Sequence, residues 1–455
     1  MTRSCLIALV LCSFAGLGRA QWVDLFNGRD LEGWRRVNGE APFTVEDGAI
    51  VGTSVTGSPN SFLATERQFR DFVLEFEFKP DDAINSGVQF RSRSLDEYQS
   101  GRVHGPQYEI DPSDRAWSGG VYDEARRGWL YQVSVNPDAR SLLKRNAWNT
   151  ARIECAGKSV RTWLNGEPVA HLIDDRAEPG FIALQVHAIG ENDPGVGRTI
   201  RWRNIRVWTG LVSPTPPDDT PIINRNPNDL SVSEAMQGWR LLFDGASPDG
   251  WRGAHKERFP EDGWAIEDGT LRVLPSGGGE SLNGGDIVTE AEFGAFELQL
   301  EFYPTKGANS GIKYFVTEDY LEPKQKASAI GLEYQILDNQ RHPDAKLGAA
   351  GNRTLASLYD LIPADTLVGG RRVPHNIDGW NHARLIVHPD GRVEHWLNQY
   401  KVLAYVRGSG TYRALVARSK YRDWENFGLA ERGHILLQDH GDDVRFRSIK
   451  IRELD

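Results

Sequence analysis

The sequence predicts an all-β protein made of two tandem β-sandwich domains of the jelly-roll type. Three observations support this fold class. A series of short motifs occurs twice in the same order, apolar and polar residues alternate over short runs, and no long stretch has the apolar spacing of an amphipathic helix. Period-two alternation is typical of strands with one buried face. Many short strands over about 190 residues per copy favour a sandwich.

The duplication is visible in motifs that lie roughly 220 positions or more apart, far longer than a solenoid repeat. The motif Asn85-Ser86-Gly87-Val88 returns at positions 309–312 as Asn-Ser-Gly-Ile. The other pairs are Leu25–Gly28 with Leu242–Gly245, Glu46–Gly48 with Glu267–Gly269, Trp148-Asn149 with Trp380-Asn381, Trp163–Asn165 with Trp396–Asn398, and Leu184–His187 with Leu437–His440. A chain of 455 residues is long enough for two such domains, each with its own core.

Residues 1–20 have the pattern of a secretory signal peptide. Arg3 precedes a short apolar run, and small residues lead to a cleavage site near Ala20. The run is too short for a membrane anchor. Cys12 leaves a lipoprotein as the alternative, although Leu11 stands where a lipid-attachment signal has a small residue. We therefore expect a periplasmic or secreted protein with no membrane span after signal-peptide removal.

The rest of the chain divides into a first domain at 21–209, a Pro-rich linker at 210–236 and a second domain at 237–455. Alternating runs such as Phe72–Phe78 predict strands, and Asp47-Gly48 and Asn165-Gly166 predict the tight turns between them. The linker contains several prolines and no apolar period. Residues 353–376 are the least strand-like part of the second domain, and we expect a long loop there beside a binding face.

Composition excludes several kinds of stabilisation and several partners. Cleavage after residue 20 leaves Cys155 as the one cysteine, so no internal disulfide can form. The formal charge of −10 becomes −12 when Arg3 and Arg19 leave, and no basic cluster is present, which argues against nucleic acid or anionic membrane as a partner. The 14 Trp and 13 Tyr residues suit stacking on sugars, although core packing accounts for most of them.

One polar strand face in each copy is the candidate sugar-binding site. Its acids, amides and histidine alternate with apolar residues and therefore share a side of their strands. In the first copy these residues are Gln107, Glu109, Asp111, Gln185 and His187. In the second copy they are Glu333, Gln335, Gln438 and His440, and Asp338 follows at the end of the run that contains Glu333 and Gln335. The groups meet only if the strands are neighbours, and a solvated outer sheet face is the alternative.

A charged segment, Tyr122–Arg127, follows the glycine turn Gly119-Gly120 in the first copy. It is either a loop that closes on a substrate or a solvated run of charge. Glu109, Asp111 and His187 have donor atoms that suit a divalent metal, which we leave open because their spacing specifies no particular ion. The sequence contains no nucleotide-binding loop, paired-cysteine metal site, serine nucleophile elbow or His-Glu-x-x-His helix.

The ordered string of motifs closely resembles the 3-keto-disaccharide hydrolase domain family. The string is formed by Leu25–Gly28 with Gly33-Trp34, Asn85–Gly87, Trp148-Asn149, Trp163–Gly166 and Arg203–Ile205. Both copies resemble members, over about 22–208 and 239–453. The resemblance implies a concanavalin-A-like jelly roll and an exported hydrolase, or a lyase coupled to hydration, that cleaves 3-keto-glycosides. It also implies an upstream sugar 3-dehydrogenase that supplies the oxidised sugar or oligosaccharide.

The implied chemistry needs a base, an acid and a group that holds an enolate oxygen. A ketone at C3 acidifies the proton on C2, and removal of that proton forms an enolate that expels the group on C1. From residue type we expect His187 to be the base, with Glu109 and Asp111 as acid or metal ligands. The expected binding residues of the first copy are Arg91, Gln107, Gln185, Tyr122, Glu124 and Arg127. In the second copy we expect His440 and Glu333 to be catalytic, and Gln335, Asp338 and Gln438 to bind substrate.

The second copy departs from the first at three of these places. Phe315 stands where the first copy has Arg91, the acid and amide are exchanged at Glu333 and Gln335, and the charged segment is reduced to Tyr359-Asp360. The two faces therefore differ in substrate or in role. A non-catalytic, lectin-like carbohydrate-binding protein is the main alternative to an enzyme, because aromatic and amide side chains recognise sugars without chemistry. A scaffold for other exported proteins is the third.

Overall fold

A computed structural model describes residues 21–81, 84–277, 279, 281, 283–318 and 329–455. The predicted signal peptide lies outside the described residues. Within these ranges, no helix has both the length and the apolar character that crossing a bilayer requires.

The regular secondary structure of the first copy is almost entirely β-strand. The strands are β1 (Trp22–Asp24), β2 (Trp34–Val37), β3 (Phe43–Glu46), β4 (Ala49–Thr53), β5 (Ser61–Thr65), β6 (Phe72–Pro80), β7 (Ser86–Ser94), β8 (Val103–Ile110), β9 (Val121–Glu124), β10 (Gly128–Tyr131), β11 (Asn149–Ala156), β12 (Ser159–Leu164), β13 (Glu167–Ile173), β14 (Phe181–Val186) and β15 (Thr199–Trp208). Two 3₁₀ helices, Val133–Val135 and Pro137–Ser141, lie between β10 and β11.

The linker region and the second copy continue this numbering. The strands are β16 (Ile222–Asn224), β17 (Arg240–Leu241), β18 (Trp251–Gly253), β19 (Trp264–Glu267), β20 (Thr270–Val273), β21 (Ile287–Thr289), β22 (Phe296–Pro304), β23 (Asn309–Thr317), β24 (Ile330–Leu337), β25 (Leu367–Val368), β26 (Arg371–Arg372), β27 (Asn381–Val387), β28 (Arg392–Leu397), β29 (Tyr400–Val406), β30 (His434–Leu437) and β31 (Val444–Glu453). The helices are α1 (Val232–Met236), α2 (Gly410–Val416) and a 3₁₀ helix, Pro343–Lys346.

Each copy folds into two facing sheets. In the first copy one sheet has the order β16-β13-β12-β11-β6-β15-β4-β3 with β1 beside β15, and the other has the order β10-β9-β8-β7-β14-β5-β2. Phe76, Phe78 and Tyr108 pack edge to face between the sheets, with ring centroids 5.7 to 6.4 Å apart. Trp202 is fully buried in the same core. Aromatic side chains from alternate strand positions therefore hold the sandwich together.

The second copy repeats this topology strand for strand over most of its length. Its large sheet runs β19-β20-β31-β22-β27-β28-β29 with β17 beside β31, and its smaller sheet runs β18-β21-β30-β23-β24. The pair β25 and β26 forms a separate two-stranded sheet. The prediction of two tandem all-β jelly-roll sandwiches is thus confirmed. The register also gives residue correspondences between the copies, because β7, β8 and β14 match β23, β24 and β30.

The linker is more ordered than its composition predicts. Its strand β16 pairs in parallel with β13. Helix α1 begins with a capping box, in which Ser231 and Glu234 each accept the other's backbone N–H. Glu234 is buried and forms an ion pair with Lys450 of the second copy. The linker is thereby tied to both copies.

Direct contacts also join the two sandwiches. The Gln399 side chain accepts a hydrogen bond from the backbone N–H of Gln132 at 2.9 Å and donates to the Leu130 carbonyl at 3.3 Å. Ser134 donates to the Gln399 carbonyl at 2.9 Å. All three contacts lie beside β10, which pairs with β9, and β9 carries part of the candidate site. The second copy therefore supports the edge of the first copy's polar face.

Candidate functional site

The first copy's candidate residues lie on three adjacent strands. Strand β7 is hydrogen bonded to β8 on one side and to β14 on the other, and Gly87 lies in register with both Glu109 and Gln185. The strands that carry the predicted residues are therefore adjacent, as a shared polar face requires. His187 follows the end of β14 on the far side of β7 from Glu109. Two strand spacings of about 4.8 Å separate their backbones by roughly 10 Å, which leaves room for a sugar ring.

A continuous chain of hydrogen bonds runs across the polar face. Ser92 donates to the Gln89 side chain at 2.6 Å, and Gln89 donates to Gln107 at 2.8 Å. Gln107 donates in turn to Glu109 Oε2 at 3.0 Å. Gln89, Gln107 and Glu109 are all buried. The chain fixes the orientation of each amide and delivers an amide N–H to the carboxyl of Glu109.

Glu109 has the environment of a proton-donating carboxyl group. Its Oε1 atom accepts hydrogen bonds from Asn85 at 2.8 Å and from Arg115 at 3.0 Å. Burial is the largest influence and raises the pKa of Glu109, while Asn85, Arg115 and Gln107 counteract the rise only in part. Glu109 therefore binds a proton more readily than an exposed glutamate, as a general acid must.

Gln185 is the least satisfied polar group on this face. Its side chain is fully buried, and neither amide atom has a hydrogen-bond partner among the residues that the structure describes. A buried amide without partners carries a substantial free-energy penalty. Its register neighbours are Gly87 on β7 and Phe62 on β5, so the amide stands beside a position with no side chain. A donor and an acceptor on this face are therefore left without a partner from the described residues.

His187 is exposed and oriented by its own backbone neighbour. Its Nδ1 atom lies 2.7 Å from the Ala188 carbonyl. Because a carbonyl accepts hydrogen bonds, Nδ1 carries the proton in the neutral ring and Nε2 carries the lone pair. His187 can therefore accept a proton at Nε2.

The charged segment is part of a hairpin that extends the sheet, so its interpretation as a loop was wrong. Residues Val121–Glu124 form β9, which pairs with both β8 and β10. The turn follows Glu124, where Ala125 has φ 54° and Gly128 has φ 73°. Alternation along β9 directs Tyr122 and Glu124 away from Asp123, which is fully buried.

Tyr122 and Glu124 border the polar face beside a cavity. Burial raises the pKa of Tyr122, and the nearby carboxylates of Glu124 and Glu109 raise it further. The contacts that the buried Glu124 accepts from Asn60 and Arg102 are long, at 3.4 Å each. A cavity of about 460 Å³ is lined by Phe62, Asn60, Arg102, Glu124 and Ala188, among others. It therefore runs between the hairpin and the residue after His187.

Two arginines predicted for this site have other partners. Arg91 has φ 48° at a bulge in β7, and it donates to the Arg70 carbonyl and to Asp71. Arg127 forms ion pairs with Asp123 and with Asp174 on the opposite side of β9. The bulge and the strand alternation turn both guanidinium groups away from the polar face.

Asp111 is occupied by a turn rather than available as an acid or a metal ligand. Its Oδ1 accepts from the Ser113 hydroxyl at 2.6 Å and its Oδ2 accepts from Arg115 Nε at 2.6 Å. The backbone N–H groups of Ser113 and Trp117 donate to the same carboxylate. With its lone pairs committed to these donors, Asp111 serves to position Arg115 against Glu109.

Sequence reasoning missed four residues that border the first copy's site. They are Asn85, Arg115, Trp129 and Asn60. Asn85 belongs to the duplicated Asn-Ser-Gly motif, which was a signal for it. Arg115 lies over the rings of Trp117 and Trp129, with its guanidinium carbon 5.1 and 4.9 Å from their centroids. Nothing in the spacing of Arg115 and Trp129 shows that a hairpin brings them together.

Gly87 provides the space in which Gln107 lies across the sheet. A Cβ atom on Gly87 would stand 2.2 Å from Gln107 Cδ and 2.5 Å from its Nε2 atom. Gly311 has the same role in the second copy, where an added Cβ would stand 2.4 Å from Glu333 Oε1. The retained glycine of the Asn-Ser-Gly motif is thus explained by close packing beneath a functional side chain.

Replacement of Gly87 by alanine should displace Gln107 and weaken substrate binding. The displaced amide would lose its bonds to Gln89 and Glu109, and we expect a stability loss of roughly 1–3 kcal/mol from overpacking. Thermal unfolding and substrate titration would measure the two effects. Gly190→Ala is the matched control, because an added Cβ there meets nothing within 4 Å. Equal behaviour of the two variants would contradict this account.

The second copy has a related polar face with different charges. Buried Glu333 takes the place of Gln107, and Gln335 takes the place of Glu109. With its amide nitrogen turned towards Glu333, Gln335 donates to Glu333 Oε1 at 2.9 Å. Lys313 lies in register with Glu333 and forms a buried ion pair with Asp286 at 3.4 Å. Lys313, which the prediction missed, lies at a polar position of the strand between Ile312 and Tyr314.

The segment 353–376, predicted to be a long loop, lies beside this face and contains the short strand pair β25 and β26. The backbone N–H of Tyr359 donates to the Glu333 carbonyl at 3.0 Å. The Tyr359 hydroxyl donates to Asp344 Oδ2 at 2.7 Å, and Asp344 Oδ1 accepts from Arg353. Asp338, predicted to bind substrate, instead accepts hydrogen bonds from the backbone of Gly307 and from Arg341 in a turn. Its carboxylate is therefore structural.

His440 and Gln438 follow the same order as His187 and Gln185. Gln438 is buried, and its backbone N–H donates to the Gly311 carbonyl at 3.0 Å. His440 lies near His342, with ring centroids 5.9 Å apart, and Asp442 completes a group of three potential ligands. Burial lowers the pKa of His342, and the neighbouring His440 ring lowers it further. The second copy thus brings two imidazoles to the end of its polar face.

Comparison with known proteins gives consistent matches. The family model of the 3-keto-alpha-glucoside-1,2-lyase-like domain matches residues 21–208 and 238–452. The 3-keto-disaccharide hydrolase of Bacteroides thetaiotaomicron is 40% identical over 251 residues, which are 50% of this chain and 82% of the relative.

Two solved structures also align with one half of the chain. A candidate glycosyl hydrolase from Parabacteroides distasonis is 29% identical with a TM-score of 0.42, over 50% of this chain and 100% of the other. The β-glucanase of Bacillus licheniformis is 12% identical with a TM-score of 0.30, over 43% and 100%.

Proposed function

The chain belongs to the 3-keto-alpha-glucoside-1,2-lyase-like domain family through both of its copies, and on this basis we propose that it is a carbohydrate-active enzyme. We propose further that it cleaves the glycosidic bond of 3-keto-disaccharides or 3-keto-glycosides. The observation that carries the proposal is the polar face of the first copy. There a buried carboxyl with a raised pKa and an unpartnered amide flank a glycine, with a histidine beyond them.

The proposed reaction begins with proton removal from C2 of the oxidised ring. Nε2 of His187 takes this proton, because Nδ1 is held by the Ala188 carbonyl. The C2–H electron pair forms the enolate with the C3 ketone, and the C1–O bond breaks as the enolate collapses. Glu109 in its protonated form gives its proton to the departing oxygen. Addition of water across the resulting double bond completes a net hydrolysis.

The remaining groups of the first copy would bind and orient the sugar. The Gln185 amide offers one donor and one acceptor to neighbouring hydroxyl groups, which relieves its lack of partners. Arg115 and Asn85 hold Glu109 in place from one side. Tyr122 and Glu124 close the face from the hairpin. In the second copy, Glu333 would take the acid role, and His440 would act at the end of the polar face, beside His342.

A carbohydrate-binding protein without catalysis is the second candidate function. The same free amide of Gln185 favours it, because amides recognise sugar hydroxyl groups in the absence of any chemistry. The two functions differ in one property. Only the enzyme exchanges the proton on C2 and releases the group on C1.

Product analysis in deuterated water tests the proposal. We expect the full chain to cleave a chemically 3-oxidised glucoside and to place deuterium at C2, detected by NMR and mass spectrometry. His187→Ala and His440→Ala should each lose the activity of one copy, because His187 is the proposed base of the first copy and His440 is the corresponding histidine of the second. His375→Ala is a control outside the polar faces, on the loop beside β26.

Three outcomes would each contradict a part of the proposal. Cleavage without deuterium at C2 would exclude proton abstraction there. Saturable binding of sugars with no cleavage by the full chain would favour the carbohydrate-binding protein. Retention of full activity when both histidines are replaced would remove the base assignment while leaving the enzyme itself in place.

We propose that the protein acts outside the cytoplasm, because residues 1–20 have the pattern of a cleaved signal peptide. A sugar 3-dehydrogenase upstream would supply the ketone. N-terminal sequencing of protein from a periplasmic or culture fraction should begin near Gln21. An uncleaved N-terminus in that fraction would contradict the proposed processing.

A further inference from the structure

We propose that the second copy binds one divalent transition-metal ion through His342, His440 and Asp442. The potential ligand atoms of these three side chains all lie within 4.8 Å of one another. Within the described ranges this is the one group of its kind. The set of Glu109, Asp111 and His187, which the sequence left open as a metal site, does not assemble, because Asp111 is committed to its turn and His187 lies across β7 from Glu109.

The ligand types select a class of ion. Two imidazole nitrogens with one carboxylate oxygen suit Zn²⁺, Co²⁺, Fe²⁺ or Mn²⁺, whereas Ca²⁺ and Mg²⁺ prefer sites made of oxygen alone. Ligand distances of about 2.0–2.2 Å allow two ligand atoms on one ion to be at most about 4.4 Å apart. Small rotations of the side chains therefore suffice to close the site. The two imidazole planes meet at 88°.

Two of the three ligands are held in place by the fold. Asp442 accepts a hydrogen bond at Oδ2 from the backbone N–H of Asn309 at 2.9 Å. His440 lies in a short loop fixed by buried Asp439, which accepts from the N–H groups of Gly284, Gly285 and Gly441. The Nδ1 atom of His440 is shielded from solvent and has no hydrogen-bond partner within the described part of the chain. A metal would satisfy this nitrogen.

His342 is supported through the segment that follows it. Its Nδ1 atom accepts from the Asp344 N–H at 3.2 Å, so Nε2 carries the proton in the neutral ring. Coordination through Nε2 shifts that proton to Nδ1, and the contact with the Asp344 N–H gives way. Arg353 and Tyr359 anchor the Asp344 carboxylate, which keeps the segment in position. The ligand set is therefore supported by a second layer of contacts.

The first copy lacks this combination of ligands. His187 corresponds to His440, but the sheet register places Arg198 at the position of Asp442. A guanidinium cannot coordinate a metal and repels a cation. The proposal thus predicts one ion for each chain rather than two. The ion would lie at the end of the polar face near Gln438. A role for it in holding a ketone oxygen rests on the proposed function, whereas the binding of the ion is independent of that function.

Calorimetric titration of the untagged, chelator-treated full chain with Co²⁺ and with Zn²⁺ tests the site. We expect a stoichiometry of one, with visible Co²⁺ absorption bands that report imidazole coordination. His440→Ala and Asp442→Asn should each weaken binding by more than roughly 100-fold, beyond the 10- to 100-fold typical of outer-shell changes. His187→Ala should leave it unchanged. Thermal unfolding of each variant checks that the fold is retained.

The proposal is overturned if the folded wild type binds neither ion with a stoichiometry of one. It is also overturned if the His440→Ala, Asp442→Asn double variant binds as tightly as the wild type. Loss of binding in His187→Ala alone would place the metal in the first copy instead. Metal binding without turnover of any 3-keto-glycoside would support this site while contradicting the proposed function.

Discussion

Replacing both Glu109 and Glu333 by glutamine is expected to lower turnover of a 3-keto-glycoside by roughly 10²- to 10⁴-fold, the typical contribution of general acid–base groups. Glutamine keeps the shape of each side chain but has no proton to transfer to the leaving oxygen. Steady-state kinetics of the full chain would measure the loss. The two single variants would divide the activity between the copies.

The control for this experiment is Glu77→Gln on the outer sheet face, where Glu77 accepts hydrogen bonds from Arg203 and Asn204. Its turnover should be unchanged. For the first copy, activity should also fall as pH rises through the raised pKa of Glu109, because the acid is then deprotonated. A double variant with wild-type kcat would eliminate both carboxyls as acids.

Replacing Glu297 by glutamine is expected to destabilise the second copy by about 3 kcal/mol at neutral pH. Glu297 is buried on the outer face of β22, where it accepts from Arg384 at 2.5 Å and from Arg452 at 2.6 and 2.9 Å. Burial alone would raise its pKa, but Arg384 and Arg452 together lower it to about 2. Removing the carboxylate leaves the guanidinium of Arg384 buried without its partner charge.

The same interaction predicts an acid dependence of stability. The pKa of Glu297 is about 2 in the folded chain against an ordinary value of 4.5. Its stabilisation is therefore complete above pH 4.5 and is lost as pH falls towards 2, for a total of roughly 3 kcal/mol. Chemical unfolding as a function of pH should show this loss in the wild type and a smaller one in Glu297→Gln.

Glu75→Gln is the matched control in the first copy. Glu75 also faces outward on the corresponding strand and pairs with Arg152 and Arg206, but all three side chains are partly exposed. Exposed pairs typically contribute about 0–1 kcal/mol, so we expect little change in stability. Equal losses in Glu297→Gln and Glu75→Gln would show that burial of the second-copy face has no energetic effect.

The polar face illustrates how far local sequence pattern extends. Alternation along β8 correctly placed Gln107 and Glu109 on one side of their strand, since side-chain direction in a strand follows position alone. The same rule could not predict that Asp111 turns into a loop and binds Arg115. Nor could it predict where the Arg91 side chain points, because the rule assumes an unbroken strand. A bulge at Arg91 adds one residue and reverses the direction of the side chains after it.

The candidate metal ligands also show that local sequence pattern does not predict contacts between distant residues. His440 was predicted because it shares a duplicated motif with His187. His342 lies about a hundred residues earlier, in no motif shared with the first copy, and only the closure of the sheet brings the two rings to 5.9 Å. Such long-range pairs depend on strand order, which a single sequence does not contain.

The sequence by itself determined the duplication, the strand-rich fold of each copy and the polar side of its strands. These follow from repeats, from period-two alternation and from the backbone demands of Asn-Gly and Asp-Gly turns, all of which act between near neighbours. The tertiary structure decided which polar groups lie together in the site, which ones pair with residues outside it, and how the linker packs against the two copies. Those outcomes depend on contacts between distant strands, where burial removes water and makes each unpaired charge or amide costly.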